Sequence, residues 1–407
     1  MSFWVTLIIV AITYLGIAIG RWPLLRANRT TITLMGVGLL LVTGQVQFEQ
    51  MAHFVDADTI ILLFSMMIIN ANLQFAGFFS LAGRSLLRMA RTPRTLLAAV
   101  ILLSGVLSAL FLNDTICLMF TPFILEITQS ARRNPIPYLI ALATAANIGS
   151  AATLTGNPQN MIIGVASGIS YGQFALSLLP ISLLGLGSIW LVLILFYRWE
   201  FRPQHFEESI NQPIHIERWQ LTKTLLVVIG MLIAFLVGVP IALAAFLAAC
   251  VLLLTRRIQP ETVFYEINWG LLVFFAALFV VTGSLEANGV AQQLFALIKL
   301  GPQTGIWSFS LATTLLSNLV SNVPAVLLLK PVITSLTNPT AGWLALAAAS
   351  TLAGNLTLLG SVANLIVAEI AARSRVALSF WEYTRAGIVI TLISLTIGIV
   401  WMDLFIW

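Results

Sequence analysis

The chain has 407 residues, of which 59% are apolar and only 9% charged, against about 25% charged in a soluble domain, so most of it belongs in lipid. The formal net charge of +5 could suggest an anionic partner such as nucleic acid, but its placement excludes one. Eighteen of the twenty Lys/Arg residues fall in six short clusters: Arg21, Arg26 and Arg29; Arg84, Arg88, Arg91 and Arg94; Arg132 and Arg133; Arg198, Arg202, Arg218 and Lys223; Arg256 and Arg257; and Arg373, Arg375 and Arg385.

The spacers between those clusters, such as 48–57 and 168–173, hold no Lys or Arg. That is the positive-inside pattern, with every cluster in the cytoplasm and both termini outside. Apolar stretches at 3–20, 59–80, 174–197, 224–255 and 384–402 are long enough to cross a bilayer, which takes roughly 20 residues. The first lacks a basic n-region and a small-residue cleavage site, so a retained span is expected rather than a signal peptide.

In chain order, residues 1–57 are expected to form N-terminal scaffold spans, with 3–20 going inward and 32–47 outward. The first repeat, 58–197, starts with an inward span at 58–80. Residues 95–130 then leave and rejoin the cytoplasmic side as a hairpin turning at Asn113-Asp114-Thr115. A broken span at 137–167, interrupted at Thr155-Gly156-Asn157-Pro158, goes outward, and 174–197 returns. A cytoplasmic linker at 198–222 leads to the second repeat, 223–407, with a hairpin at 304–336 and a broken span at 342–372. Each arm of the first hairpin is about 17 residues, roughly 25 Å of helix. The basic flanks therefore suit a re-entrant and a fully spanning hairpin equally.

The two halves repeat one another. LFLNDTICLMFTP at 110–122 matches LVSNVPAVLLLKP at 319–331, each running from Asn113 or Asn322 to Pro122 or Pro331. TLTGNPQNMIIG at 153–164 matches TLLGSVANLIVA at 357–368, and Leu73 and Gly77 match Leu285 and Gly289. One copy is entered from outside and the other from the cytoplasm, so the repeats are inverted. Polar breaks at matched places in two apolar halves point to a transporter's binding site.

A broken helix in lipid leaves backbone groups that protein or a water-filled cavity must satisfy. If the breaks converge, helix N-termini offer N–H groups to an anion and freed carbonyls can ligate a cation. One half of the candidate site is then Asn113, Asp114, Thr115, Thr155, Gly156, Asn157 and Asn160; the other is Ser321, Asn322, Gly360, Ser361 and Asn364, with Thr153 and Thr357 nearby. Asp114 is the one carboxylate at a break, fit to bind sodium or carry a coupling proton and equally able to cap the second hairpin arm. Its counterpart is Val323. Lys330 reads as a snorkelling side chain; Glu126, Glu286 and Glu369 read as interfacial, and Trp4 and Trp407 as aromatic-belt anchors. Cys117 and Cys250 form no C-x-x-C pair, and the three histidines show no metal-ligand spacing. No nucleotide-binding loop is present, so energy must come from an ion gradient or a separate subunit.

With these motifs the chain resembles the ion transporter superfamily with the citrate-transporter-like domain. NDTICLMFTP at 113–122 is similar to the Asn-Asp hairpin of its arsenite pumps, and ANIGSAATLTGNPQNMIIG at 146–164 to its sodium/proton antiporters and anion permeases. The resemblance covers essentially the whole chain. It implies an all-α polytopic membrane protein of about eleven transmembrane helices, with two re-entrant hairpins and an inverted-topology repeat of broken helices. It also implies homodimers whose protomers divide into scaffold and transport domains. By motif match, a sodium or proton site falls on Asn113, Asp114, Thr115, Gly156 and Asn160, and a symmetric one on Ser321, Asn322, Gly360, Ser361 and Asn364.

The divalent-anion symporters of the superfamily carry Ser-Asn-Thr at both tips, where this chain has Asn113-Asp114-Thr115 and Ser321-Asn322-Val323. That departure speaks against a di- or tricarboxylate. The expected function is a secondary active transporter of the inner membrane moving a small inorganic or organic anion, coupled to protons or sodium. Arsenite or antimonite efflux by proton exchange, with a separate ATPase subunit only in that case, is the closest alternative. A sodium/proton antiporter follows, and a channel is further off. No nucleophile–base pair or metal cluster suggests an enzyme, and no cofactor beyond Na⁺ or H⁺ is expected.

Overall fold

The computed structural model describes residues 2–19, 21–22, 27–89, 92–202, 216–254, 258–290, 293 and 304–406. Arg26, Arg91, Arg256, Arg257, Trp407 and residues 203–215 of the expected linker lie outside them.

Helix α1 (Ser2–Ile19) leads through a two-residue antiparallel ladder, β1 (Arg21–Trp22) on β2 (Ala27–Asn28), to α2 (Arg29–Val42). Short α3 (Met51–Phe54) precedes α4 (Ala57–Phe75), which Asp56 caps by accepting from the Thr59 N–H. Then come α5 (Phe78–Met89), α6 (Pro93–Leu110), α7 (Asn113–Ser130), α8 (Ile136–Ser150), α9 (Pro158–Ser167) and α10 (Tyr171–Phe196). The second half holds α11 (Arg218–Leu236), α12 (Ile241–Leu253), short α13 (Pro260–Tyr265) and α14 (Trp269–Ala287). It ends with α15 (Ile306–Val320), α16 (Asn322–Ile333), α17 (Pro339–Ala353), α18 (Val362–Arg373) and α19 (Phe380–Phe405). Apart from the small ladder, the regular structure of the described residues is helical. Six helices, α4, α6, α10, α11, α14 and α19, are long and apolar enough to cross a membrane. This is the expected all-α polytopic fold.

The helices sort into two bundles. An outer bundle packs α1, α2, α4, α11, α12 and α14 on one another; a second gathers α6 to α10 with α15 to α19. Few elements meet across the seam: α4 and α12 touch α9, α11 touches α10, α14 touches α16, and α1 touches α15.

At the centre of the second bundle lie α8 and α17, buried at every position over 137–150 and 341–353. Both are rich in Ala, Gly, Ser and Thr, the residues that let membrane helices approach closely. At Gly149 a Cβ would strike the Gly105 carbonyl of α6, so the two backbones touch there. At one end, Arg94 Nε donates to the Phe201 carbonyl at 2.9 Å and the Tyr138 hydroxyl to Glu200 at 3.3 Å. These bonds tie α6, α8 and α10 together next to the Arg132–Arg133 turn.

The repeat read from sequence is duplicated bond for bond at the ends of α4 and α14. Gly77 (φ 80°) and Gly289 (φ 67°) both take the left-handed conformation, where only glycine is free of a side-chain penalty. The Gly77 N–H bonds the Gln74 carbonyl and the Gly289 N–H the Glu286 carbonyl, the same helix stop at the same offset.

Replacing Gly149 with Leu should force α6 from α8 and cost about 2 kcal/mol or more. Thermal unfolding of detergent-purified protein should show a lowered midpoint. An unchanged midpoint would contradict the backbone contact.

Candidate functional site: two breaks that brace each other

The first hairpin turns at Phe111 and Leu112, so Asn113, Asp114 and Thr115 form the opening turn of α7 rather than the loop expected from sequence. Phe111 is drawn inward because its ring packs edge-on against Phe78 and Phe79. The tip then docks on the first break, the Asn113 N–H donating to the Gly156 carbonyl at 3.0 Å. A Cβ at Gly156 would collide with the Ser150 carbonyl and meet that of Ser108 at 2.8 Å, so only glycine fits between α8 and α6. The second hairpin turns in one residue. Ser321 holds φ 79°, ψ 160°, a region otherwise reserved for glycine and a mark of stored strain.

Both broken helices dispose of their freed backbone in the same way. Asn160 Nδ2 donates to the carbonyls of Ser150 (3.1 Å) and Thr153 (2.9 Å). Asn364 Nδ2 donates to those of Gly354 (2.8 Å) and Thr357 (3.1 Å). Every atom of the second set lies 204 residues after its mate. The N-termini of α9 and α18 are closed by their own side chains, Asn157 accepting from the Asn160 N–H at 2.8 Å and Ser361 from the Ala363 N–H at 3.2 Å. At the hairpin tips the cap positions Leu112 and Ser321 make no such bond, although in the first turn of α7 Asn113 Oδ1 accepts from the Asp114 N–H at 3.0 Å.

Two residues not singled out from sequence bind the halves together. Asn147 of α8 accepts at Oδ1 from Asn113 Nδ2 (3.0 Å) and Ser361 Oγ (3.1 Å). Its Nδ2 donates to Asn355 Oδ1 (2.9 Å) and Asn364 Oδ1 (3.0 Å). All four hydrogen-bonding positions of the amide are filled, and three of the partners belong to the other repeat. The repeat mate of Asn147 is Thr351 of α17, whose hydroxyl accepts from Asn157 Nδ2 (3.3 Å) and Gln159 Nε2 (3.2 Å) and reaches Asn160 Oδ1 at 3.5 Å. Each break is thus held by a polar residue from the intact half-helix of the other. Extending the 204-residue alignment back thirteen places from Asn160 and Asn364 would have exposed both.

The network unites Asn113, Asn157 and Asn160 with Ser361 and Asn364. Asn322 lies against the second break, where a Cβ built on Gly354 would stand 3.2 Å from its Nδ2. A Cβ on Gly360 would stand 3.2 Å from Asn318 Oδ1. Thr155 is turned away, toward the Tyr171 hydroxyl at 3.3 Å, and Thr153 bonds the Ala109 carbonyl. Thr115 accepts from Asn70 of α4.

Several buried polar atoms of the two hairpins have no partner among the described residues: Asn318 Oδ1, Asn322 Oδ1, and the hydroxyls of Ser104, Ser108, Thr313 and Ser317. Ser104 and Ser108 on α6 stand 209 residues before Thr313 and Ser317 on α15, the offset that separates Asn113 from Asn322. The hydrogen bonds of the network are made by amides, hydroxyls and backbone groups, with no Lys or Arg side chain among them. Asp114 is half-buried, and Arg29, at the start of α2, acts on it electrostatically. No cluster of His, Cys, Asp or Glu able to hold a metal is found among the described residues.

Inverted repeats, crossed broken helices and hairpin tips docked on the breaks define a membrane transporter. The chain belongs to the citrate transporter family, whose pattern matches residues 7–353. It is 31% identical to the silicon efflux transporter LSI3 of Oryza sativa subsp. japonica, over 93% of each chain. It is 25% identical to a Dictyostelium discoideum transporter named arsB, over 91% of this chain and 86% of that one. Its fold matches the crystal structure of the Alcanivorax borkumensis YdaH transporter with a TM-score of 0.62 at 17% identity, covering 99% of this chain and 97% of the other.

Replacing Asn147 with Ala should leave four partners in two repeats unmatched, costing about 3 kcal/mol or more. Transport in proteoliposomes should fall together with thermal stability. Thr351→Val should do the same more weakly, since its hydroxyl makes longer bonds. If Asn147→Ala transported normally, the cross-brace would be dispensable.

Proposed function

We propose that this protein moves a small uncharged hydroxide of the silicic or arsenous acid type, driven by a proton or sodium ion bound at Asp114. The carrying observation is the set of unpaired oxygens at the second tip, Asn318 Oδ1 and Asn322 Oδ1, beside the unpaired hydroxyls of Thr313 and Ser317. A buried acceptor left without a donor costs about 1–3 kcal/mol. A neutral hydroxide brings O–H donors to those oxygens and lone pairs to the N–H groups that open α16, where no side chain caps the helix. A carboxylate brings acceptors only, and would set its charge against the amide oxygens.

This sets aside the anion expected first from the sequence and takes up its alternative, arsenite, as one of a class of neutral hydroxides. The names of the rice and Dictyostelium relatives support that cargo class, and the rice name supports outward transport. The ligand sits between the two breaks and is exposed alternately as one bundle moves against the other. A homodimer in the cell's inner membrane, with both termini outside, belongs to the same proposal. The apolar face of α11, which exposes Trp219, Leu226, Ile229 and Ile233, suits lipid or a second copy.

Sodium/proton antiport without cargo is the second reading, favoured by the same unpaired oxygens, since they would also suit a cation. Proteoliposomes separate the two. Silicic acid or arsenite should move only with an imposed proton or sodium gradient, and citrate or sulfate should not move. Cation exchange of equal rate without cargo would overturn the hydroxide reading. Asp114→Asn should lower gradient-driven flux at least about tenfold, a loss of about 1.4 kcal/mol in transition-state terms. Its folding stability should stay within about 1 kcal/mol of the parent. Wild-type flux in that variant would remove Asp114 from the mechanism.

A further inference from the structure

We propose that the turn after α10 is a binding site for an anionic phospholipid, with Arg198, Trp199 and Arg202 at the headgroup and one exposed stripe of α10 along an acyl chain. The site takes no part in the transport reading; only its assignment to the cytoplasmic leaflet rests on the orientation proposed above.

Arg198, Trp199 and Arg202 are all exposed, Trp199 to 64%. The guanidinium carbon of Arg202 stands 4.1 Å from the centroid of the Trp199 ring, and that of Arg198 5.2 Å. One indole therefore orders two guanidinium groups by cation–π attraction and keeps two like charges close together. Neither arginine pairs with an acidic side chain among the described residues. The carboxylates that border the turn are committed elsewhere. Glu200 accepts from the Tyr138 hydroxyl at 3.3 Å and the Asn134 N–H at 3.4 Å, and lies 4.0 Å from Arg133. Glu382, at the start of α19, accepts from the Tyr197 hydroxyl at 2.6 Å and pairs with Arg385 at 3.6 Å. Tyr197 and Glu200 are thus tied to the bundle on either side of Arg198 and Trp199, and the two arginines are left for an anion from outside.

The chemistry of that anion follows from what lies beside it. A guanidinium presents paired N–H donors that match a phosphate group, and tryptophan settles at the membrane–water interface. Leu184, Gly187, Leu191 and Leu195 follow one another at steps of three and four residues, so they share one side of α10. All four are exposed, and a Cβ at Gly187 would meet nothing within 4 Å. The stripe ends one turn before Arg198 and Trp199. A free phosphate would use the arginines and leave the stripe idle, whereas a phospholipid uses both. A zwitterionic lipid brings a cationic group against two arginines, so an anionic headgroup fits better. The cytoplasmic leaflet is where such lipids attract basic side chains.

The test uses the purified full chain in detergent and needs no cargo. Phosphatidylglycerol, phosphatidylcholine and inorganic phosphate are added in turn, and thermal unfolding and native mass spectrometry are recorded. A ligand that binds only the native state raises its stability. Phosphatidylglycerol should raise the midpoint and stay bound at one molecule per protomer; phosphatidylcholine and phosphate should do neither. Combining Arg198→Gln with Arg202→Gln should weaken phosphatidylglycerol binding about tenfold or more, and Trp199→Ala should weaken it in the same direction. Arg373→Gln, which removes an exposed arginine already paired with Glu369 at 2.9 Å, should bind as the parent does. These side chains are exposed, so the variants should fold like the parent. An equal rise with phosphatidylcholine or with inorganic phosphate, parental binding by the double variant, or an equal loss in Arg373→Gln would overturn the inference.

Discussion

Everything in this structure depends on one constraint: a backbone group freed from its helix inside a membrane has no water to bond. Each such group costs several kcal/mol unless the protein supplies a partner. The chain meets that constraint twice with one device, a single Asn whose amide closes two carbonyls of the preceding half-helix. Because Asn160 and Asn364 spend their donors in this way, their oxygens remain free for the other repeat. Asn147 and Thr351 use those oxygens, and the two breaks become one unit. The small residues of α8 and α17 follow from the same need, since such bonds form only where backbones can nearly touch.

Among the polar groups that this bracing leaves unmatched are Asn318 Oδ1 and Asn322 Oδ1 beside the second hairpin tip. The amide of Asn147 is fully satisfied, whereas Asn318 and Asn322 near the second tip, and Thr313 and Ser317 on α15, keep oxygens with no partner among the described residues. Asp114 differs again: it adjoins Thr115, which accepts from Asn70 of the outer bundle. Asn113 belongs to the first tip and to the central network at once.

Much of this was legible in the sequence. Duplicated Asn and Gly residues marked both breaks, and Gly77 and Gly289 marked two helix stops that share one geometry. Apolar spans and arginine clusters gave the order of elements. The first tip was placed two residues late because Asn-Asp-Thr reads as a turn, while Phe111 takes the turn by packing with Phe78 and Phe79. Asn147, Thr351 and Asn70 escaped notice because each sits inside an apolar helix away from the breaks, and Asn355 because it has no match in the duplicated motifs. Their partners for the most part lie in another repeat, and no local pattern shows a bond between residues some 200 positions apart, as in Asn147 to Asn355. The division into two bundles was likewise a matter of packing, implied by resemblance rather than by periodicity.

The claim that both repeats face one cargo is tested most directly by locating a heavy-atom substrate. Arsenite supplies its own label, because arsenic scatters X-rays anomalously. In crystals grown with arsenite, the account predicts one arsenic peak per protomer, between the first tip at Asn113 and the second at Asn322. A peak outside both tips, or two peaks each confined to one repeat, would contradict it.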